Sequence, residues 1–216
     1  MNNGFTITYE YGKNLYVNTT NRCNYNCNFC VRHNSHLGAV SANELWLKRE
    51  PAVAEIVDSI EKRDLSKYNQ LVFCGFGEPS FRFDDICTVI DTLKADGHEI
   101  FTRMDTNGSG RVINGRDICL DMKGRFDKIS ISLNISDSKK YDELCHPDFD
   151  GAFEEMKEFA KEAKRYVPEV MMTVVDCISD EELESCRRIC EDEIGATFRV
   201  RSFITEDHDE NEKITG

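Results

Sequence analysis

Short apolar segments alternate along this chain with segments of helical periodicity, and this alternation constrains the fold more than any other feature. Within each of these segments nearly every residue is apolar, which is typical of strands buried on both faces of a parallel sheet. Six such segments occur, at residues 15–19, 71–75, 99–106, 128–134, 170–175 and 198–203. Helical periodicity is clearest at residues 51–60, 86–97, 151–166 and 180–193, and a shorter segment lies at 116–123. The alternation predicts right-handed βαβ units.

Six parallel strands are too few to close an eightfold barrel. The order of elements therefore predicts an α/β fold in which a mostly parallel sheet forms a partial (β/α)6 TIM-type barrel, open on one side. No linker or repeat divides the chain, so residues 1–216 are expected to form one domain, with an acidic tail at residues 205–216.

The first predicted strand is followed by a polar loop with three closely spaced cysteines, Cys23, Cys27 and Cys30. Thiolates are soft ligands that suit iron–sulfur clusters. A structural zinc site or an electron-carrying cluster normally has four protein ligands, so a set of three leaves one metal position free, as catalysis requires. The alternatives are a zinc site completed by His33 or His36, and three incidental cysteines.

Polar residues also follow the other predicted strands, at the end where active sites of parallel α/β proteins lie. The segment Gly-Phe-Gly-Glu-Pro at 75–79 follows the second strand, and Asp-Thr-Asn-Gly at 105–108 follows the third. The sequence therefore predicts one site at this edge of the sheet, to which the last three strands contribute Asn134, Asp176, Cys177 and Arg201.

The cysteine spacing, with the aromatic Phe29 before the last cysteine, resembles that of the radical S-adenosylmethionine (SAM) superfamily. Residues 75–79 are similar to the Gly-Gly-Glu-Pro segment of that superfamily, although Phe76 replaces the first glycine. Residues 105–108 are similar to a segment of the glycyl-radical activases. The chain most resembles the TatD-associated subgroup, through residues 9–23 and the Tyr-x2-Leu-Cys-x-Pro segment at 141–147.

The resemblance, which covers nearly the whole chain, implies that Cys23, Cys27 and Cys30 bind three irons of a [4Fe-4S] cluster. The fourth iron then binds the amino and carboxylate groups of SAM. Ser132 and Asn134 alternate on a predicted strand, so we expect their polar side chains to face the same side and to need a partner such as SAM. The full set of expected SAM contacts is Phe29, Phe76, Gly77, Glu78, Asp105, Thr106, Asn107, Ser132, Asn134 and Arg201.

The implied activity is reductive cleavage of SAM to methionine and a 5′-deoxyadenosyl radical, which abstracts hydrogen from a substrate. A flavodoxin or ferredoxin is the implied electron donor, and the open side of the barrel would admit a large substrate such as a polypeptide. No catalytic residue is identified, although Cys177 is a candidate. The alternatives are a glycyl-radical activase that acts on a partner protein, and a noncatalytic iron–sulfur or zinc protein for electron transfer or sensing.

Composition and charge indicate which partners and which cellular compartment to expect for this chain. A formal net charge of −13 disfavours binding to nucleic acid or an anionic membrane. No apolar run is long enough to span a membrane, and the N-terminus does not resemble a signal peptide. Because the chain is 216 residues long and its N-terminus does not resemble a signal peptide, we expect its ten cysteines to be reduced thiols in the cytoplasm. Cys186 and Cys190 share an apolar helix face, so we expect them to be buried rather than to hold a second cluster.

Overall fold

The structure is a computed structural model that describes residues 5–32 and 45–202. Its strands form one seven-stranded sheet whose spatial order is the order of the chain. The strands are β1 (Thr8–Tyr11), β2 (Asn14–Val17), β3 (Gln70–Phe73), β4 (Thr102–Thr106), β5 (Lys128–Ser132), β6 (Glu169–Val175) and β7 (Thr197–Arg201). From β2 to β7 all neighbours are parallel. The predicted α/β fold with an open, mostly parallel sheet is confirmed, and the six predicted strands are β2–β7.

One strand was not predicted. β1 pairs antiparallel with β2, with Thr8 opposite Val17 and Tyr11 opposite Asn14. Gly12 allows the tight connection because it has a positive φ of 58°. β1 and β7 are the two edges of the described sheet, so the sheet is not closed.

The helices that connect these strands are α1 (Val53–Glu61), α2 (Phe83–Ala95), α3 (Gly110–Asn114), α4 (Ser138–Cys145), α5 (Ala152–Ala163) and α6 (Asp180–Arg188). Four of them lie where helical periodicity predicted them. The predicted short helix at 116–123 is only the 3-10 turn Leu120–Met122, while α3 and α4 were missed. Among the described residues, no helix has the length and apolar character needed to cross a membrane.

One face of the sheet packs against the helices and forms the hydrophobic core. Leu15, Leu71, Met104 and Ile129 on successive strands are fully buried there, with helix residues such as Ile56. Side chains alternate along a strand, so the intervening residues lie on the opposite, inner face of the sheet. Cys186 and Cys190 are buried as predicted.

Candidate functional site

The three cysteines lie in the loop that follows β2, and all three side chains are half-buried. Burial raises the pKa of Cys23 to about 12, and the nearby Glu78 carboxylate adds to the rise. A hydrogen bond with Cys145 and burial raise the pKa of Cys27, and burial raises the pKa of Cys30. The thiols are therefore protonated at neutral pH in the metal-free protein, and a bound metal has to displace these protons.

The arrangement of the thiols bears on the kind of metal group that they could hold. Within residues 5–32 and 45–202, no group of three or more His, Cys, Asp or Glu side chains is placed to hold one metal ion. A [4Fe-4S] cluster makes a different demand, because each cysteine binds a different iron and the sulfurs stay apart. The three thiols lie on one loop, which is consistent with that demand.

The end of α4 and the residues that follow it support the cysteine loop from one side. The Asn26 N–H donates to the carbonyl of Cys145 (3.1 Å), and the Asn28 N–H donates to that of Leu144 (2.9 Å). Tyr25 and Pro147 form an isolated antiparallel bridge. These backbone bonds hold the loop in place before any metal binds.

The turn after β3 contacts the loop from the other side. The Glu78 N–H donates to the carbonyl of Arg22 (2.8 Å). A Cβ atom on Gly77 would lie within 3 Å of the carbonyl oxygens of Thr20 and Arg22. Residue 77 must therefore be glycine for the two backbones to approach this closely.

The side chain of Glu78 faces the protein interior. Its Oε1 accepts hydrogen bonds from Ser80 Oγ and Thr106 Oγ1, both at 2.7 Å, and Oε2 accepts from the Asn107 N–H at 2.7 Å. The carboxylate thus joins the turn after β3 to the turn after β4. A SAM contact through the main chain of Phe76, Gly77 and Glu78 stays a prediction.

The predicted segment 105–108 is joined to the cysteine loop by side chains. Asn107 Nδ2 donates to Asn24 Oδ1 (3.0 Å), and Asn24 Nδ2 donates to Ser109 Oγ (3.1 Å). Asn24 directly follows the first cysteine of the motif. Sequence reasoning missed Asn24 and Ser109, which lie 85 residues apart and carry no local signal.

Asp105 has a partner that the sequence did not indicate. Arg103, two residues earlier on β4, forms an ion pair with Asp105 (Nε to Oδ1, 2.8 Å). Arg103 also donates to Gln70 Oε1 (2.9 Å) and to the hydroxyl of Tyr16 (3.1 Å). The Asp105 carboxylate therefore helps to join β2, β3 and β4 on the inner face.

Ser132 and Asn134 do not share one strand as the sequence predicted. β5 ends at Ser132, and Asn134 has a positive φ of 63°, so strict alternation does not apply to it. Asn134 is 4% exposed, its Nδ2 donates to Cys145 Sγ (3.4 Å), and its Oδ1 has no hydrogen-bond partner in the described structure. A buried oxygen without a partner is costly, so Asn134 fits a ligand that donates a hydrogen bond there.

The remaining predicted residues lie around this centre. Phe29 is half-buried against the core, and Phe76 is buried beside Trp46, with ring centroids 6.1 Å apart. Arg201 is exposed at the end of edge strand β7, and Cys177 is exposed after β6. His33, His36, residue 203 and the acidic tail at 205–216 lie outside the described residues.

Comparison with known proteins identifies a matching family and solved structures with a similar fold. The family model for the radical SAM superfamily matches residues 17–189. A search of curated proteins found no significant match. Among solved structures, the chain is similar to SuiB of Streptococcus suis bound to the precursor peptide SuiA, with 16% sequence identity and a TM-score of 0.64 over 92% of this chain and 43% of SuiB.

Two further solved structures are similar at comparable levels. Native anSMEcpe with bound AdoMet has 16% identity and a TM-score of 0.60, over 90% of this chain and 52% of that one. Methylornithine synthase (PylB) has 11% identity and a TM-score of 0.59, over 92% and 57%. Likeness at this identity shows the fold, and the chain spans only 43–57% of the length of these three proteins.

Proposed function

This chain belongs to the radical SAM superfamily, and on that premise we propose that it is a hydrogen-abstracting enzyme that acts on a peptide. Members of the superfamily are enzymes that use a [4Fe-4S] cluster and SAM. When bound, these two groups supply a 5′-deoxyadenosyl radical, formed with methionine by reductive cleavage of SAM, which takes a hydrogen atom from the substrate. We also propose, from residues 9–23 and 141–147, that the chain belongs to the TatD-associated subgroup.

The observation that carries the proposal is the convergence of three strand ends on the cysteine loop. The turns with Gly77 and Asn107 contact residues of that loop, and Asn134 contacts Cys145, whose carbonyl accepts a hydrogen bond from the loop. In the proposed enzyme, Cys23, Cys27 and Cys30 hold the cluster. The surrounding backbone fixes where SAM sits and keeps water from the reacting atoms.

The predicted SAM contacts fall into two groups: residues with groups still available to SAM, and residues whose side chains bind other parts of the protein. The backbone of Phe76 and Gly77, the Asn134 amide oxygen, and Ser132 and Phe29 have polar or aromatic groups that remain available for it. Glu78, Asp105, Thr106 and Asn107 use their side chains to hold the site together. We propose that these four act on SAM through their backbone or through the shape they maintain, and that Arg201 reaches SAM or the substrate from β7.

A peptide substrate is supported by the open side of the sheet. β7 is an exposed edge strand, and its Arg199 and Arg201 lie in register with Thr173 and Val175 on the inner face. SuiB, which shares the fold, has been crystallised with its precursor peptide. A flavodoxin or ferredoxin would supply the electron, which places the enzyme in the reducing cytoplasm. Membership of an enzyme superfamily argues against the noncatalytic alternative.

The test is anaerobic incubation of iron-reconstituted protein with dithionite and SAM, followed by chromatography for 5′-deoxyadenosine and methionine. Cys27→Ala removes a proposed iron ligand, and Cys186→Ala makes the same chemical change at a remote buried cysteine. We expect both products from the native protein and from Cys186→Ala, and none from Cys27→Ala. A native protein with a loaded cluster that releases no 5′-deoxyadenosine, even with added peptides, would contradict the proposal.

A further inference from the structure

The strand β7 forms one edge of the described sheet, and one side of its backbone faces away from the other strands. The carbonyl of Arg201 accepts a hydrogen bond from the Asp176 N–H (3.0 Å), so the backbone groups of Arg201 point towards β6. Backbone groups of successive residues in a strand point to opposite sides, so those of Phe198 and Val200 point away from β6. Among the described residues, no further strand lies on that side.

The inner face of this edge carries two arginines without acidic partners. Arg199 lies in register with Thr173, Arg201 lies in register with Val175, and both arginines are exposed. Neither forms an ion pair with a described residue, whereas most other described arginines do. Acidic side chains are in excess in this chain, with 40 Asp and Glu against 27 Lys and Arg. Two unpaired guanidiniums on alternate residues of one strand are therefore available to carboxylates of a ligand.

The same two arginines lie on the face of the sheet that carries the proposed SAM site. Ser132, an expected SAM contact on β5, lies in register with Thr173 on β6, which lies in register with Arg199 on β7. Neighbouring strands are about 4.8 Å apart, so the backbone of Arg199 lies about 10 Å from that of Ser132. A chain that pairs with the outer edge of β7 would extend this row by one strand, beside the site.

We propose that β7 is the docking strand for the peptide substrate, which adds to the edge of the sheet in an extended conformation and presents acidic side chains to Arg199 and Arg201. The inference rests on the proposed function, because it names how the peptide of that function is held. Backbone pairing with Phe198 and Val200 supplies affinity and register, and the two guanidiniums select carboxylates. The net charge of −13 opposes binding of an acidic peptide elsewhere on the surface.

The test is binding of a labelled peptide in which glutamate and valine alternate, measured by fluorescence anisotropy on the iron-reconstituted protein with SAM and without dithionite. We expect the double variant Arg199→Gln, Arg201→Gln to bind this peptide about tenfold more weakly, the size of two exposed ion pairs. The matched control, Arg165→Gln with Arg188→Gln, removes the same charge at two other exposed arginines and should bind like the native protein. Equal affinities of the two double variants would overturn the role of Arg199 and Arg201.

Methylation of the peptide backbone distinguishes strand addition from attraction between charges. In an extended peptide the glutamate N–H groups point to one edge and the valine N–H groups to the other, and only one edge can face β7. A methyl group on every glutamate nitrogen, or on every valine nitrogen, blocks one edge and leaves the charge unchanged. We expect one of these two peptides to bind like the unmethylated peptide and the other to bind at least tenfold more weakly. Equal affinities would overturn strand addition.

The outcomes separate this inference from the proposed function. A protein that binds the peptide as expected but, with a loaded cluster and dithionite, releases no 5′-deoxyadenosine contradicts the proposed function and leaves the docking strand in place. A protein that releases 5′-deoxyadenosine but binds no acidic peptide overturns the docking strand alone. Two further results would also overturn it. Binding that appears only when the acidic residues at 206–212 are replaced by their amides would assign the edge to the tail, and tighter binding of oligothymidylate at the two arginines would assign it to nucleic acid.

Discussion

Glu78 is a buried carboxylate whose oxygens are already used by the protein. It is 4% exposed and accepts hydrogen bonds from the backbone and side chain of Ser80, from Thr106 and from the Asn107 backbone. Burial raises its pKa, while these donors favour the charged form and act in the opposite direction. The sequence suggests that Glu78 contacts the cofactor, whereas in the structure its side chain joins two turns beside the proposed cofactor site.

Replacement of Glu78 by glutamine should therefore destabilise the metal-free protein. The new amide group would face donors where the carboxylate accepted them, which leaves buried polar groups unpaired. We expect the free energy of unfolding to fall by about 2 kcal/mol, measured by urea denaturation. Glu99→Gln, at an exposed position, is the control and should have little effect. A loss for Glu78→Gln no larger than that of the control would contradict the role given to this carboxylate.

At the scale of residues, the sequence indicates the proposed iron ligands more clearly than the residues that contact the loop of these ligands. Cys23, Cys27 and Cys30 are recognisable because their spacing is local. Asn24 and Cys145 are not, because each contacts a residue that is distant in the sequence. Only the fold brings such pairs together.

Elements were predictable where burial leaves a periodic signal. β3 and β6 read as nearly continuous apolar runs because almost all of their residues are buried. β1 has the sequence Thr-Tyr-Glu-Tyr and pairs on one side only, so it lacks that signal. α4 buries only Tyr141 and Cys145, one turn apart, which is too little periodicity to predict a helix. The end of this short helix nevertheless accepts backbone hydrogen bonds from the cysteine loop.

The packing of the turn after β3 against the cysteine loop can be tested at Gly77. A methyl group at this position would meet two backbone carbonyls, which cannot rotate away as a side chain could. We therefore expect Gly77→Ala to retain native circular dichroism but to take up only a small fraction of the native iron content. In Gly124→Ala the added methyl meets no atom within 4 Å, and φ is positive at Gly124 but not at Gly77, so this control adds backbone strain without a collision. Equal iron content in the two variants would argue against this packing.

The inner face of the sheet has its own polar connection through Arg103. This guanidinium is 9% exposed and contacts Tyr16 on β2, Gln70 on β3 and Asp105 on β4. Arg103→Met should remove about 3 kcal/mol from the free energy of unfolding, because a mostly buried carboxylate loses its partner. Asp105→Asn in the same chain should restore part of the loss. Lys62→Met breaks an exposed ion pair with Asp58 at the end of α1 and should change the free energy of unfolding little. An Arg103→Met protein as stable as Lys62→Met would contradict this reading.

For the whole molecule, the order of strands decides which motifs meet. Every polar motif after a predicted strand falls at the same edge, because parallel strands end together. Topology alone therefore predicts one site at this edge of the sheet. It could not show that several predicted SAM contacts, such as Glu78 and Asp105, use their side chains within the protein. That division depends on distances between elements, which no pattern along the chain encodes.

The chain carries a single tryptophan that lies on the face of the cysteine loop, and it can report on cluster binding in the intact protein. Trp46 is 45% exposed, its ring lies 6.1 Å from that of Phe76, and the Arg32 guanidinium lies 5.3 Å from its centroid. Arg32 closely follows Cys30, and Phe76 precedes Gly77, so Trp46 borders the proposed cluster. An iron–sulfur cluster absorbs light in the range where tryptophan emits, whereas zinc does not.

Anaerobic loading with iron and sulfide should therefore quench the Trp46 emission, and removal of the cluster by a chelator under oxidising conditions should restore it. Zinc added to the metal-free protein should leave the emission nearly unchanged. Cys27→Ala serves as the matched control, because it keeps Trp46 and loses a proposed ligand, and it should show no quenching under the same treatment. Quenching of equal size in the native and variant proteins would mean that iron binds elsewhere. Emission that stays constant in a native protein with a measured full load of cluster iron would place the cluster away from this face of the barrel.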